Sequence, residues 1–388
     1  MTLIVSLILP LLALWLWWPV QFPGRRQRRW HLGITVLLAL LGTGFAALWR
    51  MDVLAYAAEA WIQLVFGWVL AMFVMLLVFL VLREAGWLLS RVAPRTSALA
   101  RPWHGVRGNQ AAAAVIVLLA TLGICNGLKP PRVHERELVV PGLPQELDGL
   151  RMAVLADVHA SPVKRSWRTQ RIVDAVMAAR PDLIVLPGDM VDGEVEDSAA
   201  FVAPLAELAA PYGVWVAPGN HEYYHGYRRW MAHFRGLGLG VLENQTVKLQ
   251  IHGRTLAVSG VGDLAALRPS AYMRGGPAPD LPAVIAAARG SDAHILLAHQ
   301  PKQAREAAAS GAFDLQVSGH THGGHMLGFD RWVVAPANDG YVRGDYRVGA
   351  MTLFVSSGAG QWDGFSVRLG VPSSIDVLVL KRAPAPGR

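Results

Sequence analysis

Residues 315–325 read Leu-Gln-Val-Ser-Gly-His-Thr-His-Gly-Gly-His, a short apolar run that ends among closely spaced histidines. The run predicts a buried strand over Leu315–Val317. His320 and His322 are two residues apart, so their side chains leave an extended segment on the same face. The flanking glycines permit tight turns and a close approach of the backbone to a bound ion or phosphate. Imidazoles in this setting have little use in core packing, so the stretch predicts a ligand site at the end of a strand.

Four further clusters place acidic, amide or imidazole side chains directly after an apolar run. They are Asp157-Val158-His159, Gly188-Asp189, Gly219-Asn220-His221-Glu222 and Ala298-His299. Open α/β sheets form their ligand crevices at the carboxyl ends of strands, so we expect all five clusters to meet there. Nitrogen and oxygen donors without a thiolate suit divalent Mn, Fe or Zn. The set of donors is too large for one tetrahedral ion and suits two ions that share a bridging carboxylate.

The chain from Leu138 onward alternates short apolar runs with helical patterns, which is typical of layered α/β structure. The predicted strands are Arg151–Ala156, Leu183–Leu186, Val214–Ala217, Thr255–Ser259, His294–Ala298, Leu315–Val317, Thr352–Ser356 and Ile375–Leu380. The predicted helices are Ser166–Ala179, Ala199–Ala209, Tyr227–Gly236, Leu281–Ala288 and Lys302–Ala309. We expect a stiff, proline-containing linker over residues 129–137, an α/β domain over residues 138–382 and a frayed tail over residues 383–388.

The ordered set D-x-H, G-D, G-N-H-E, a lone His and G-H-x-H resembles the calcineurin-like metallophosphoesterase superfamily. The branch that it resembles is that of the membrane-associated YkuE/YaeI-like phosphoesterases. Further likeness lies in residues 147–151, 357–360 and 368–372, and the resemblance covers about residues 134–381. It implies a four-layer α/β/β/α sandwich with the metals at the strand ends.

The resemblance also implies a role for each donor. Asp157, His159 and His322 would bind the first ion, Asn220, His299 and His320 would bind the second, and Asp189 would bridge the two. His221 corresponds to a proton donor or transition-state stabiliser, and the alternative is a hydrogen-bond partner of a ligand. Arg368 either contacts a substrate phosphate or pairs with an acid. The branch usually has Gln at the position of His325 and often Asp at that of Glu222.

The first 128 residues differ in character from the rest of the chain. They carry ten Arg and three acidic residues, and so hold seven of the chain's eight net positive charges. Four stretches in this part lack Asp, Glu, Lys and Arg and approach the roughly 20 apolar residues needed to cross a bilayer. They are residues 3–20, 32–49, 61–82 and 111–128. We therefore predict an all-α region of four transmembrane helices.

The arginines between these stretches predict an orientation. Arg25, Arg26, Arg28 and Arg29 follow the first stretch, and Arg83, Arg91, Arg95, Arg101 and Arg107 follow the third. By the positive-inside rule these two loops are cytoplasmic. The domain after the fourth stretch then lies outside the cytoplasm, in a multi-pass protein of the cell inner membrane. If the fourth stretch does not span, the domain is cytoplasmic instead.

Composition excludes several classes of protein. With 53% hydrophobic residues and one cysteine, Cys125, the chain is neither disordered nor a disulfide scaffold. The nearly neutral part after residue 128 offers no basic stripe for nucleic acid, so we expect no nucleic-acid partner.

The function predicted from the sequence is that of a membrane-anchored phosphoesterase. Two divalent ions, with Mn favoured, would generate a hydroxide near Asp189 that attacks a phosphate ester. The branch implies phosphodiesters, and the expected substrates are phosphorylated small molecules or lipid-linked envelope compounds. The alternative is a membrane sensor or transport component whose domain binds phosphorylated ligands without turnover.

Overall fold

The computed structural model describes residue 8 and residues 11–12, 14–18, 20, 22–50, 55–93, 102–268 and 275–383. The chain divides into two compact units. The first contains residues 1–126 and 363–367, and the second contains residues 127–362 and 368–388. The described part of the first unit is mainly helical, and the second unit is built from mixed α/β sheets.

Three long helices precede the sheets. They are α1 (Arg25–Arg50), α2 (Tyr56–Val92) and α3 (Val106–Leu128). Among the described residues, α2 and α3 are long and apolar enough to cross a membrane, and they contain the predicted stretches 61–82 and 111–128. The predicted stretch 32–49 lies within α1, whereas much of the stretch 3–20 falls outside the described residues. The arrangement of four spans stays a prediction.

The helices are longer than the predicted spans, so several arginines that were predicted to lie in loops lie in helices instead. Helix α2 has 37 residues, and at 1.5 Å per residue it measures about 55 Å, against a hydrocarbon core of about 30 Å. Arg91 therefore lies in α2, Arg107 lies in α3, and the arginines at positions 25–29 begin α1. Arg95 and Arg101 lie outside the described residues.

Arg83 is also in a helix rather than in a loop. Its side chain is buried within the first unit, and Nη1 donates to Oδ1 of Asn109 at 2.7 Å and to the carbonyl of Leu16 at 3.0 Å. Because the guanidinium of Arg83 is buried and hydrogen-bonded within the unit, its position has a structural cause. It therefore does not indicate which end of the helix faces the cytoplasm.

Two six-stranded sheets form the second unit. The first sheet has the order β1-β12-β2-β3-β4-β5, and the second has the order β10-β11-β9-β8-β7-β6. The strands of the first are β1 (Arg132–Val140), β2 (Arg151–Val154), β3 (Leu183–Pro187), β4 (Val214–Ala217), β5 (Gly240–Val241) and β12 (Ser374–Arg382). Those of the second are β6 (Gln245–Ile251), β7 (Arg254–Gly260), β8 (Ala293–Leu297), β9 (Leu315–Ser318), β10 (Gly344–Val348) and β11 (Met351–Val355).

Helices cover the outer faces of both sheets. They are α4 (Arg165–Ala178), α5 (Val195–Val202), α6 (Asn220–Tyr224), α7 (Tyr227–Gly236), α8 (Leu281–Ala287), α9 (Ala304–Ser310) and α10 (Ala335–Ala337). One core contains Ile172 of α4 and Trp230 of α7 with residues of the first sheet. Another contains Val284 of α8 and Ala304 of α9 with residues of the second sheet. A third core joins the inner faces of both sheets.

The parallel strands β2–β4 and β7–β9 carry the site at their carboxyl ends. In the first sheet β2, β3 and β4 are mutually parallel neighbours, and in the second β7, β8 and β9 are. Strands of this kind are buried on both faces, which explains their near-continuous apolar sequences. The predicted strands agree with these elements to within two residues at each end.

Residues 132–137 correct the predicted linker, because they belong to a paired strand. Strand β1 pairs in parallel with β12 over nine residues, from Arg132 with Ser374 to Val140 with Arg382. Only Lys129 and the two prolines separate α3 from the sheet. The predicted helix over 199–209 also differs, since α5 ends at Val202 and a 3₁₀ turn follows over Ala203–Glu207.

Candidate metal centre

The two sheets deliver seven polar side chains to one place, each from the loop that follows a strand. They are Asp157 and His159 after β2, Asp189 after β3, Asn220 after β4, His299 after β8, and His320 and His322 after β9. These are the seven residues that the sequence singles out as donors. Parallel strands present their carboxyl ends at the same edge, so residues distant in sequence converge there.

Donor atoms in this cluster form overlapping groups. One ligand atom from each of Asp157, His159 and His322 lies within 4.8 Å of the others, and the same holds for Asp189, His299 and His320. Asp189 also forms such a group with His159 and His221, and so lies between the two sets.

The seventh residue, Asn220, joins the second set. Its Oδ1 lies 2.9 Å from Nδ1 of His320. All seven predicted side chains are therefore close neighbours.

Five of these residues have a left-handed backbone conformation. The φ angles are 53° at Asp157, 47° at His159, 59° at Asp189, 72° at His320 and 49° at His322. Such a conformation costs on the order of 1–3 kcal/mol for a residue other than glycine, and it persists only where the surrounding structure enforces it. The backbone is thus held in strained turns that aim these side chains into one space.

Two glycines make the close packing of these loops possible. A Cβ at Gly219 would lie 2.3 Å from Oδ1 of Asp189, and a Cβ at Gly319 would lie 2.5 Å from Oδ2 of Asp157. No side chain fits at those distances, because real Cβ contacts are longer. The Gly-Asn-His-Glu and Gly-His-Thr-His sequences therefore need their glycines so that each loop can reach a carboxylate of another.

Several imidazole nitrogens are buried without a hydrogen-bond partner. Nδ1 of His159 pairs with Oδ1 of Asp192 at 2.8 Å, and Nδ1 of His299 donates to the carbonyl of Pro187 at 2.8 Å. Nε2 of His159 and Nδ1 of His322 have no hydrogen bond, whereas Nε2 of His299 lies 3.1 Å from Oδ2 of Asp189. Buried polar atoms are seldom left unsatisfied. Metal-bound histidines usually have one nitrogen fixed by such a hydrogen bond while the other binds the ion.

The chemistry of the donors fits divalent cations. The cluster offers imidazole, carboxylate and amide groups and no thiolate, a set that suits borderline or hard divalent ions. Burial lowers the pKa of His320 to about 3, and burial together with His159 lowers the pKa of His322. Both imidazoles are therefore neutral at pH 7, as metal ligation requires.

Charge pairing inside the cluster keeps Asp189 ionised. Burial works to raise its pKa, but His299 and His221 outweigh burial and lower the pKa well below the usual range. The pKa of Asp157 is raised, mainly by burial. Two buried carboxylates among imidazoles form an anionic environment that cations would neutralise.

His221 lies against the cluster and pairs with a buried carboxylate that the sequence analysis missed. Nδ1 of His221 lies 2.6 Å from Oδ1 of Asp192, the same oxygen that holds His159. Burial acts to lower the pKa of His221, but Asp189 and Asp192 outweigh burial and raise the pKa to about 9. The available signal was the second acid of the sequence Gly188-Asp189-Met190-Val191-Asp192.

Glu222 has a structural task that its position in the sequence did not reveal. Its carboxylate accepts hydrogen bonds from the backbone N–H groups of Gly219 at 2.7 Å, Asp189 at 3.0 Å and Met190 at 2.7 Å. Burial and the nearby Asp189 raise its pKa to about 7. Glu222 thus joins the loop after β3 to the loop after β4 and fixes the distance between Asp189 and Asn220.

Arg368 is buried, which argues against the contact with a substrate phosphate that was considered from the sequence. Its side chain is 1% exposed, and the hydrogen bonds run to the carbonyls of His322 at 2.7 Å, Ser357 at 2.7 Å and Gly360 at 3.0 Å. Burial lowers its pKa to about 9. A buried guanidinium bound to main-chain carbonyls is out of reach of a substrate phosphate, so Arg368 positions the loop that carries His322.

Aromatic rings surround the accessible side of His221. Ring centroids lie 5.3 Å away at Tyr224, 5.9 Å at His225 and 6.3 Å at Trp362. Tyr223 and Tyr227 are instead buried in the core beside α7. His325, two residues beyond Gly323, has its ring centroid 5.1 Å from that of His322.

The known proteins that this chain resembles in sequence include several metallophosphoesterases. The calcineurin-like phosphoesterase family model matches residues 150–324. The chain is 31% identical over 371 residues to a transmembrane protein with a metallophosphoesterase domain from Danio rerio, which covers 93% of this chain and 82% of that protein. It is 36% identical over 267 residues to an uncharacterized metallophosphoesterase from Campylobacter jejuni, covering 68% of this chain and 67% of that protein.

The metallophosphoesterase YkuE of Bacillus subtilis is 27% identical over 247 residues, covering 61% of this chain and 82% of YkuE. These similarities confirm the superfamily and the branch that the motifs predicted. The chain belongs to the calcineurin-like metallophosphoesterase family, and it is a metal-dependent phosphoesterase.

Proposed function

We propose that this protein is a membrane-anchored phosphodiesterase with a dinuclear centre, in which Mn is the favoured metal. The observation that carries the proposal is Asp189, whose carboxylate lies between two groups of donor atoms. Asp157, His159 and His322 hold the first ion, and Asn220, His299 and His320 hold the second. Asp189 bridges them. The buried, unpartnered nitrogens of His159 and His322 support this assignment.

Two bound divalent ions supply Lewis acidity, which lowers the pKa of water and neutralises charge on the phosphoryl oxygens. The protein's own residues do the rest. The strained backbone at Asp157, Asp189 and His322 fixes the donors before substrate arrives. Glu222 keeps the loops of Asp189 and Asn220 in register through its three backbone hydrogen bonds.

His221 is the proton donor to the leaving oxygen in this proposal. Nδ1 of His221 lies 2.6 Å from Oδ1 of Asp192, and this pairing orients the ring and leaves Nε2 to face the substrate. Imidazole suits this work because its pKa can be tuned close to neutral pH. The aromatic rings of Tyr224 and Trp362 beside His221 form an apolar wall for the leaving group.

The membrane part of the proposal rests on α2 and α3, which are long and apolar enough to span. The distribution of arginines supports an inner-membrane protein with four spans and a catalytic domain outside the cytoplasm. Its substrates would be phosphodiesters, including lipid-linked ones. The near-neutral charge of the chain after residue 128 supports substrates other than nucleic acid.

The test is hydrolysis by the purified full-length protein in detergent. With Mn²⁺ supplied, it should hydrolyse bis(p-nitrophenyl) phosphate faster than p-nitrophenyl phosphate. Asp189→Asn should lower the rate by at least about a thousandfold, because the bridging charge is lost. The matched control is Asp174→Asn, which changes an exposed carboxylate on α4 and should leave the rate unchanged. A metal-independent rate, or a faster monoester rate, would overturn the proposal.

A further inference from the structure

An exposed apolar segment, residues 327–333, follows closely on the histidines of the metal centre. This apolar loop consists of a turn and part of a π-helical turn over Asp330–Val334. Leu327 is 65% exposed, Trp332 is 77% exposed and Val333 is 49% exposed. Among the described residues of the second unit, these are three of seven exposed large apolar side chains, and they lie within seven residues of one another. Apolar side chains clustered on a surface mark an interaction site more often than single ones do.

The loop over residues 327–333 is held firmly, so the exposure is built into the structure. Oδ1 of Asp330 accepts from the backbone N–H groups of Gly328 and Arg331, both at 2.8 Å. The backbone N–H of Leu327 donates to the carbonyl of Leu369 at 3.1 Å. These bonds close the loop and present Trp332 at its surface.

Arg343 connects this loop to the metal centre. Its Nη1 donates to Oδ2 of Asp330 at 2.8 Å and to the carbonyl of Gly323 at 2.6 Å. Gly323 follows His322 in the chain, so one guanidinium ties the apolar loop to the turn that carries a proposed metal ligand. Arg343 therefore fixes the position of the apolar loop relative to the turn that carries His322.

The chemistry of the loop matches the interface of a lipid bilayer. Tryptophan is enriched at the level of the lipid headgroups, where its ring is apolar and its N–H meets water. Arg331 makes no ion pair with the described residues, whereas the acid beside it, Asp330, is already paired. A cation next to exposed Trp, Leu and Val suits anionic headgroups above acyl chains.

We propose that the loop over residues 327–333 inserts into the headgroup region of a phospholipid bilayer. The inference rests on the proposed membrane anchoring and deepens it, because it places the metal centre at the depth of lipid phosphodiesters. The substrates favoured by this arrangement are membrane-embedded lipids with a phosphodiester in the headgroup. A soluble phosphodiester needs no such contact.

The test uses the full-length chain with Cys125→Ser, reconstituted into vesicles of phosphatidylcholine and phosphatidylglycerol. Trp332→Cys carries an environment-sensitive fluorophore, and nitroxide-labelled lipids act as the quencher. The matched control is Val139→Cys, because Val139 is 48% exposed and lies near the end of β1 that is farther from α3. We expect quenching at position 332 to exceed that at position 139 by at least about threefold. Leu327→Cys should give the same result as Trp332→Cys.

Equal quenching at positions 332 and 139 would overturn the proposal. Cross-linking between two chains through position 332, without quenching by lipid, would assign the surface to a second copy and would also overturn it. An independent readout is Trp332→Glu, which should slow hydrolysis of a vesicle-embedded phosphodiester lipid by about tenfold and leave the bis(p-nitrophenyl) phosphate rate unchanged. If the wild type hydrolyses neither substrate, the proposed function fails, while the quenching still decides the membrane contact.

Discussion

Nδ1 of His221 lies 2.6 Å from Oδ1 of Asp192 in a buried setting. The same oxygen lies 2.8 Å from Nδ1 of His159. One carboxylate thus orients both a proposed metal ligand and the proposed proton donor. Removing Asp192 and removing His221 should therefore have different consequences.

His221→Ala should slow turnover by about 100- to 1,000-fold at saturating Mn while metal content stays unchanged. Asp192→Ala should also lower Mn affinity, by about 10- to 100-fold, because His159 loses its hydrogen-bond acceptor. The measurements are Mn per chain after dialysis and the rate with bis(p-nitrophenyl) phosphate. Donor atoms of His221, His159 and Asp189 lie within 4.8 Å of one another, so loss of metal in step with activity in His221→Ala would make His221 a ligand instead.

Glu222→Gln should destabilise the domain, because a single amide oxygen cannot replace a carboxylate that accepts from three backbone N–H groups. We expect the melting temperature of the metal-free protein to fall by about 5 °C, from the loss of roughly 2 kcal/mol of hydrogen bonding. Glu207→Gln, a change of an exposed carboxylate, is the control. An unchanged melting temperature in both variants would show that Glu222 does not hold the two loops together.

His294 should contribute a pH dependence to stability that is separate from the metal centre. It is buried, bonded to Ser259 at 2.7 Å and to the carbonyl of Ala312 at 2.9 Å, and burial lowers its pKa from 6.5 to about 4. Between these values the unfolded chain binds more protons than the folded one. The contribution of neutral His294 to the free energy of unfolding is therefore fully present above pH 6.5. It is lost as the pH falls toward 4, by up to about 3 kcal/mol.

The check is the melting temperature of the metal-free protein between pH 6.5 and pH 4, compared with that of His294→Asn. The wild type should lose stability more steeply over this range than the variant. Parallel curves for the two proteins would mean that His294 is protonated in the folded state as readily as in the unfolded chain.

The proposed orientation of the helices predicts on which side of the membrane the catalytic domain lies. An alkaline phosphatase reporter fused after residue 388 should be active, because that enzyme matures only outside the cytoplasm. A fusion truncated after Arg91 is the internal comparison and should be inactive, since α2 ends on the cytoplasmic side in this arrangement. The reverse pattern of activities would place the catalytic domain in the cytoplasm and would contradict the orientation proposed for α3.

The sequence predicted the site better than it predicted the edges of the fold. Asp189 and His299 each follow a buried parallel strand, and such strands have an uninterrupted apolar run that a sequence reveals. Strand β6 alternates exposed and half-buried residues at a sheet edge, and β10 does likewise, so neither has that signal. Strand β1 pairs with β12, more than 200 residues away, and local sequence carries no information on that pairing.

The supporting residues of the site were harder to predict than the donors. Asp192 and Glu222 are common acidic residues, and their importance comes from contacts with loops of other strands. Arg368 was noticed, but the sequence does not show that its guanidinium is buried and donates to carbonyl groups. Glu222 and Arg368 lie in stretches that the sequence analysis singled out, but the roles of all three residues depend on contacts with loops that are distant in sequence.

The central claim is that Asp189 joins two metal sites, and counting the ions on the full-length protein tests it most directly. After loading with Mn²⁺ and removal of excess metal, the wild type should bind two ions per chain. Its low-temperature electron paramagnetic resonance spectrum should show the multiline signal of an exchange-coupled Mn pair. Asp189→Asn should lose the coupled signal, while Asp174→Asn keeps it. One ion per chain in the wild type, or a coupled pair that persists in Asp189→Asn, would contradict the account.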